Sequence, residues 1–459
     1  MNKNKTEIRI SIISHTNIGK TTLARTLLRR DVGEVRDRDH VTTESTEYTM
    51  LENDSARLII WDTPGFGANY ANKLLKRLRS DGSAGGWLMH EIIDRLSNRP
   101  LFCSLQAARN VRSNADAVLY LVNAKESPSD ATYVKMELEL LNEIGKPVLL
   151  VINQVDQISK DQSRSEYTYH IEQAWHEEFG EIETVKKVLV LDAFSRVWLE
   201  ELEVLREVAN QLPKQKQTAL GSLCKHYEKK QSEIIRECSL AAASTLEFAA
   251  NQKIVPAPGM SDKEIFRELY LSLQNQLDDY VETVMSAYEL EAGNNPALQA
   301  DIEQVKGLAG KKIPEGWTGI LSAALTGAGG GLAADAMSGG LTFGGGALIG
   351  FIIGGIGGLT AAKSINHLLK MDGDCRWSES FLYGLFKQLL FYHLLIAHHG
   401  RGKGLIDFEQ RVKLWNESIE KLKLPRLDIN KQFEFNKNRV AHEFESSLFK
   451  VLNELYPES

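Results

Sequence analysis

Ser14-His15-Thr16-Asn17-Ile18-Gly19-Lys20-Thr21 follows the apolar run Ile8 to Ile13 and leads into Thr22-Leu23-Ala24, a helix-forming start. The spacing is that of G-x-x-x-x-G-K-[S/T], with serine at the first glycine. Such a loop cradles a phosphate chain with successive backbone N–H groups and a helix N-terminus, while its lysine neutralises the β- and γ-phosphates and its hydroxyl residue ligates Mg2+. It casts His15, Thr16, Asn17, Ile18, Gly19, Lys20, Thr21 and Thr22 as nucleotide contacts, Lys20 as a catalytic charge and Thr21 as a magnesium ligand. Ser14 forgoes the φ > 0 freedom that a glycine would bring to the entry of the loop.

Three further loops belong with the first. The run Leu58 to Trp61 delivers Asp62-Thr63-Pro64-Gly65, in which an aspartate reaches Mg2+ and Gly65 lets a backbone N–H approach a γ-phosphate. The run from Val148 delivers Asn153-Gln154-Val155-Asp156, where the carboxylate of Asp156 can accept from the N1 and N2 donors of guanine, a pair that adenine lacks. The last run ends in Asp192-Ala193-Phe194, which would complete the base site with backbone N–H groups. Four loops in this order, each following a short apolar run, define a guanine-nucleotide site at the carboxyl edge of a sheet.

The elements that must carry these loops are continuous β-branched runs alternating with helical stretches over residues 1–213. They predict an α/β domain with a mostly parallel sheet buried on both faces. Pro213 and the following Lys214-Gln215-Lys216-Gln217 mark its expected end, after which helical periodicity takes over. Residues 214–315 are expected to form a helical domain, 316–366 a glycine-rich hairpin and 367–459 a C-terminal helical part. Ser261 and Glu264 form a capping box before an amphipathic run of Ile265, Leu269, Leu273, Leu277, Tyr280, Val284 and Tyr288. Lys+Arg 54 against Asp+Glu 61 leaves a net charge of -7, which provides no overall positive field for a polyanion. Nucleic acid is thus not an expected partner. Cys103, Cys224, Cys238 and Cys375 form no CxxC pair, and residues 1–13 hold no signal-peptide apolar core, so a reduced cytoplasmic chain is expected. His393, His398 and His399 lack spaced carboxylate or cysteine partners and read as helix-end residues.

With Asn17 in the phosphate loop, Asp62-Thr63-Pro64-Gly65 and Asn153-Gln154-Val155-Asp156, residues 7 to about 200 resemble the Era/TrmE branch of P-loop GTPases. The resemblance implies GTP hydrolysis with Mg2+, held by Thr21, Asp62 and a switch threonine within His40-Val41-Thr42-Thr43. Thr43 is favoured over Thr42 because it aligns with the branch's paired threonines. It also implies Asn17 as a ligand for K+, and G-domain homodimerisation as a stimulus. Phe66 stands where Ras-like proteins carry a water-orienting glutamine, which implies slow intrinsic hydrolysis. Residues 68–112 are longer than the branch usually spends at this point and are read as an inserted lid, a partner surface or a structural insertion. The whole chain also resembles a bacterial GTPase family with a C-terminal domain of unknown function.

Residues 316–362 hold 16 glycines and a single charge, Asp335. Gly319, Ala323, Gly327 and Gly331 recur every fourth residue, as do Gly346, Gly350, Gly354 and Gly358, which on helices would give two flat ridges able to pack closely. At 1.5 Å per residue the legs would span about 27 and about 33 Å, near the bilayer's hydrocarbon thickness. Lys311, Lys312 and Lys363 flank the outer ends. Two placements follow: a hairpin at or in the inner membrane, or a glycine zipper packed in a soluble helical core. The expected function is a GTP-dependent switch driving a helical effector domain at the membrane. The competing readings are a soluble Era-like GTPase in RNA or ribosome assembly and a nucleotide-gated assembly protein.

Overall fold

The computed structural model describes residues 5–15, 17–29, 32, 45–66, 70–80, 99–155, 164–191, 193, 196–290, 368–371, 373–399, 408–422 and 436–456. The chain divides into two compact units, Met1–Gln231 with Gly400–Ile406, and Ser232–His399 with Asp407–Ser459.

All five apolar runs are strands of the first unit: β1 (Thr6–Ser14), β3 (Ala56–Asp62), β4 (Ala117–Asn123), β5 (Val148–Asn153) and β6 (Val185–Val190), parallel in the order β3-β1-β4-β5-β6. Successive side chains serve opposite faces. Ile8, Ile10 and Ile12 of β1 share one core with Leu119 and Leu121 of β4 and with Leu149 and Val151 of β5. Val118, Tyr120, Val122, Leu150 and Ile152 line the other. Each fully buried branched aliphatic contributes about 1.5–3 kcal/mol, so a parallel sheet covered on both faces is what these largely apolar runs favour. A sixth strand, β2 (Thr46–Glu52), pairs antiparallel with β3 at the sheet edge. Its half-wet sequence TEYTMLE gives no strong strand signal, and sequence reading passed over it.

One face is covered by α1 (Lys20–Leu28), α6 (Trp198–Asn210) and the first part of α7 (Lys214–Asn251). The other is covered by α2 (Tyr70–Ser80), α3 (Arg99–Ser113), α4 (Thr132–Ile144) and α5 (Arg164–Phe179). The lid reading of residues 68–112 is therefore corrected at both ends. Ala71, Leu74 and Leu75 of α2, and Leu101, Leu105, Ala108 and Val111 of α3, are core residues, and Ser11 Oγ donates to Asn110 Oδ1 at 2.6 Å. The sheet face needs this cover, which an insertion free to act as a lid could not supply. Residues 81–98 lie outside the described set.

Pro213 opens a helix: its carbonyl accepts from Gln217 N at 2.9 Å, and α7 then runs for 38 residues. Leu220, Leu223, Cys224 and Tyr227 belong to the sheet's core, so the first unit extends to Gln231, within the helix.

The second unit is helical, built from the rest of α7, α8 (Asp262–Ala287), α9 (Glu379–Ala397), α10 (Phe408–Lys421) and α11 (Lys437–Leu455). Ser261 and Glu264 form the expected reciprocal cap on α8, with Ser261 N donating to Glu264 Oε2 at 2.8 Å. All seven apolar residues of the α8 stripe are buried. Residues expected to continue as helix near 370 instead form a ribbon, β7 (Leu368–Met371) with β8 (Asp374–Trp377). Met371 pairs with Asp374, and Gly373 between them takes φ 84, a conformation suited to a tight hairpin turn. Helix α9 is apolar around its circumference. Among the described residues it is the one helix long and apolar enough to cross a membrane, but 78% of its most apolar stretch is buried inside the protein. That burial is the mark of a core helix. His393 within it bonds Tyr288 Oη at 2.9 Å, and burial pulls its pKa down to about 3. The glycine-rich segment 316–362 lies outside the described residues.

Candidate nucleotide site

Strand β1 delivers Ser14 at its carboxyl end, and Gly19 caps α1. The unusual backbone falls at Asn17 (φ 65) and Gly19 (φ 103), whereas Ser14 stays within the strand. Serine therefore satisfies the loop entry without the freedom of glycine. Ser14 also takes part in the site, because Lys20 Nζ donates to its Oγ at 3.0 Å and to His15 O at 3.4 Å. Gly19 is held to glycine twice over: its φ is left-handed, and a Cβ there would meet Asn153 Nδ2 at 2.9 Å.

Thr21 Oγ1 donates to Asp62 Oδ2 at 2.8 Å, so the hydroxyl of the first loop meets the carboxylate at the end of β3. Asp62 is 2% exposed, and its Oδ1 has no hydrogen-bond partner. An orphaned buried carboxylate oxygen beside a hydroxyl suits a hard divalent cation such as Mg2+, which takes oxygen ligands. Burial raises the pKa of Asp62, opposed by the Thr21 bond and Lys20. Burial likewise lowers that of Lys20 to about 8, opposed by Asp62 and Glu137. Both charges are thus held out of water with incomplete compensation, an arrangement that suits a phosphate and a cation.

Thr63 Oγ1 donates to Ile12 O at 2.6 Å, and Phe66 N donates to Ser14 O at 3.0 Å. These bonds fasten the Asp62-Thr63-Pro64-Gly65 turn to β1, with Gly65 buried. Phe66 is fully buried in the core beside α2, so its side chain orients no water.

Asn153, wholly buried, donates from Nδ2 to Ile18 O and accepts at Oδ1 from Ala193 N, both at 2.9 Å. It braces the phosphate loop against the last loop. Ala193 is held from a second side, its carbonyl accepting from Thr26 Oγ1 at 2.7 Å. Gln154 takes φ 63, and Val155 turns into the core. The structure therefore brings together Lys20, Thr21, Asp62, Gly65, Asn153 and Ala193, with His15, Ile18, Gly19 and Thr22 on the same loop and helix. Thr16, Thr42, Thr43, Asp156, Asp192 and Phe194 lie outside the described residues.

Sequence reading missed a second set of groups. Glu137 on α4, 2% exposed, contacts His15 Nδ1 at 2.7 Å and accepts from Tyr120 Oη at 2.6 Å. His15 also lies against Tyr133, with ring centroids 4.4 Å apart. No local signal could have disclosed this, because 122 positions separate Glu137 from His15. Among the described residues no group of three or more His, Cys, Asp or Glu is placed to hold a metal. His398 Nδ1 is engaged with Leu394 O at 2.8 Å.

A mostly parallel sheet with a phosphate loop at the end of β1 and an acidic turn fastened beside it defines a P-loop nucleotide-binding domain. The model of the 50S ribosome-binding GTPase family matches residues 9–154. GTPase Der of Syntrophotalea carbinolica is 28% identical over 160 residues, 34% of this chain and 29% of that protein. GTPase Era of Heliobacterium modesticaldum is 25% identical over 169 residues, 37% of this chain and 46% of that protein. A crystal structure of Aquifex aeolicus Era bound to GDP·AlF4- is similar at a TM-score of 0.31 and 19% identity, over 46% of this chain and 58% of that one. The chain spans less than half the length of these curated relatives. Its N-terminal segment is an Era-type P-loop GTPase domain.

Proposed function

We propose that the protein is a guanine-nucleotide switch that binds and slowly hydrolyses GTP and uses the nucleotide state to drive its helical part. The observation that carries this reading is Asn153, whose two amide atoms tie the phosphate loop to the loop at Ala193 at the head of an Asn-Gln-x-Asp sequence. Asp156 would accept from guanine N1 and N2, and residues 192–194 would meet the rest of the base. Lys20 would hold the β- and γ-phosphates, and the backbone of residues 15–22 would cradle them. Gly65 and Thr43 would sense the γ-phosphate. Thr21, Asp62 and Thr43 are the residues that would hold Mg2+. When bound, the cation neutralises charge between the phosphates. Asn17 would ligate K+, and the buried Phe66 leaves the attacking water to be oriented by a partner, a second G domain or the cation.

Competition against labelled GDP tests the base assignment. The wild type is expected to prefer GDP to ADP by at least about a thousandfold, since a site built around a base's donors rejects one that lacks them. Asp156→Asn should move the preference to xanthosine diphosphate, and equal competition by ADP and GDP would remove the reading altogether. Turnover in K+ against Na+, in the wild type and Asn17→Ala, tests the cation role.

The cellular role is proposed as membrane-associated, supported by the composition and four-residue spacing of residues 316–362. The family model's ribosome-binding description favours the second reading, a soluble GTPase in RNA or ribosome assembly. Flotation of the full chain with liposomes, beside sedimentation with ribosomes, separates them. Ala324→Asp or Ile352→Asp should abolish flotation, because a mid-bilayer carboxylate costs roughly 2.5–3.5 kcal/mol. A wild type that stays with ribosomes and never floats in any nucleotide state supports the second reading.

A further inference from the structure

Three residues beyond Ala193 stands an arginine for which nucleotide chemistry has no use. Arg196 is 7% exposed and donates from Nε to Glu201 Oε1 at 2.8 Å, and from Nη2 to Glu201 Oε2 at 3.1 Å and to Tyr227 Oη at 2.6 Å. Tyr227 Oη in turn donates to Glu201 Oε2. Glu201 and Tyr227 are 2% and 3% exposed. Apolar residues of equal volume would serve a core at least as well, since a buried ion pair seldom stabilises more than hydrophobic packing does. What a guanidinium adds is a planar fork of fixed geometry, and the hydroxyl that accepts from it and donates to the carboxylate closes the triad.

Tyr227 lies on α7, outside the strand–loop–helix units that build the nucleotide site. The same helix is anchored again by Lys216, whose Nζ lies 2.6 Å from Asp116 Oδ1, while Asp116 Oδ2 accepts from Arg9 N within β1 at 2.9 Å. Leu220, Leu223 and Cys224 between the two anchors pack into the sheet's core. The helix is thus fixed at two polar points about three turns apart. One of them grips the segment that leaves the last loop of the site, a loop already held by Asn153 and Thr26.

We propose that Tyr227, acting through Arg196, is a positioning residue for the base-recognition loop, so that guanine selectivity depends on helix α7. The proposal rests on the reading of residues 192–194 as that loop. Because coupling is reciprocal, whatever shifts α7 alters nucleotide affinity by the factor with which the nucleotide biases α7.

The test uses the full chain carrying Tyr227→Phe, which keeps the ring and its packing, and separately Arg196→Lys, which keeps the charge and loses the fork. GDP and ADP affinities are measured by competition, with thermal melting in the absence of nucleotide. Each variant is expected to bind GDP about tenfold more weakly and ADP less than about twofold more weakly, as loss of a charge-assisted hydrogen bond that aims one loop predicts. The GDP-over-ADP ratio is the decisive readout, because general destabilisation lowers melting without changing that ratio. If one variant fails to fold, the ratio in the other decides. A wild type that prefers guanine alongside variants that retain the full ratio overturns the positioning role and leaves the triad a packing feature. A wild type indifferent to the base overturns the guanine reading itself, and this proposal with it.

Discussion

Asn153→Ala is expected to reduce GDP affinity by at least about a hundredfold and to destabilise the first unit at the same time. The side chain is buried and bonded at both amide atoms, donating to Ile18 O and accepting from Ala193 N. Alanine leaves a carbonyl and an N–H without those partners, each at about 1–3 kcal/mol when buried. It also frees the phosphate loop and the base loop from each other, so a nucleotide that must touch both has to restore their spacing on binding. A loss of about 2.7 kcal/mol of binding energy is a hundredfold in affinity. Asn153→Asp sharpens the test: the carboxylate can still accept from Ala193 N but cannot donate to Ile18 O, and it places a negative charge against a carbonyl. Titration with a fluorescent GDP analogue and denaturant unfolding measure the two effects separately. Wild-type affinity in a destabilised Asn153→Ala would show that the brace serves folding alone.

Lys20→Met should separate binding from stability in the opposite sense. The lysine is 7% exposed, and burial brings its pKa down to about 8 from 10.5. Between those values the unfolded chain binds more protons than the folded one, so this group makes the free protein's unfolding free energy rise as pH climbs from about 8 to 10.5. Below that window the folded state keeps a charged ammonium at a desolvation cost. Methionine removes that cost and preserves much of the volume, so stability near neutral pH should stay level or increase, and the rise above pH 8 should flatten. Nucleotide binding should fall sharply, because truncating one partner of a desolvated charge pair costs about 3–5 kcal/mol, or about two to three and a half powers of ten in GTP affinity. Calorimetric titration with GTP and Mg2+, beside urea unfolding at pH 7 and pH 10, reads both. A variant that loses stability in proportion to affinity would mean that Lys20 is a structural residue.

The chemistry of the site was legible because each loop is local. Phosphate cradling, cation binding and guanine recognition need particular residue types within four to eight positions, placed where an apolar run ends, and such signals survive without knowledge of the rest of the chain. The five parallel strands were legible for a similar reason, since burial on both faces demands continuous apolar runs, and the α8 cap and stripe are likewise written within one helix. Edge strand β2 and the β7–β8 ribbon were not, because a half-exposed strand and a four-residue ribbon need little apolar alternation to form.

Amino-acid order by itself thus determined an α/β domain with a phosphate loop at the end of its first strand, followed by helices. Tertiary structure alone decided that Pro213 begins a helix belonging partly to the first unit, that residues at the two ends of 68–112 are core, and that Asn153 works as a brace. It also decided the pairings of His15 with Glu137 and Arg196 with Tyr227, which lie 122 and 31 positions apart. The physical reason is that a loop motif is selected by the backbone shape of a few consecutive residues. A buried polar partner is selected by whichever group the packed sheet brings within about 3 Å, wherever in the chain it was encoded.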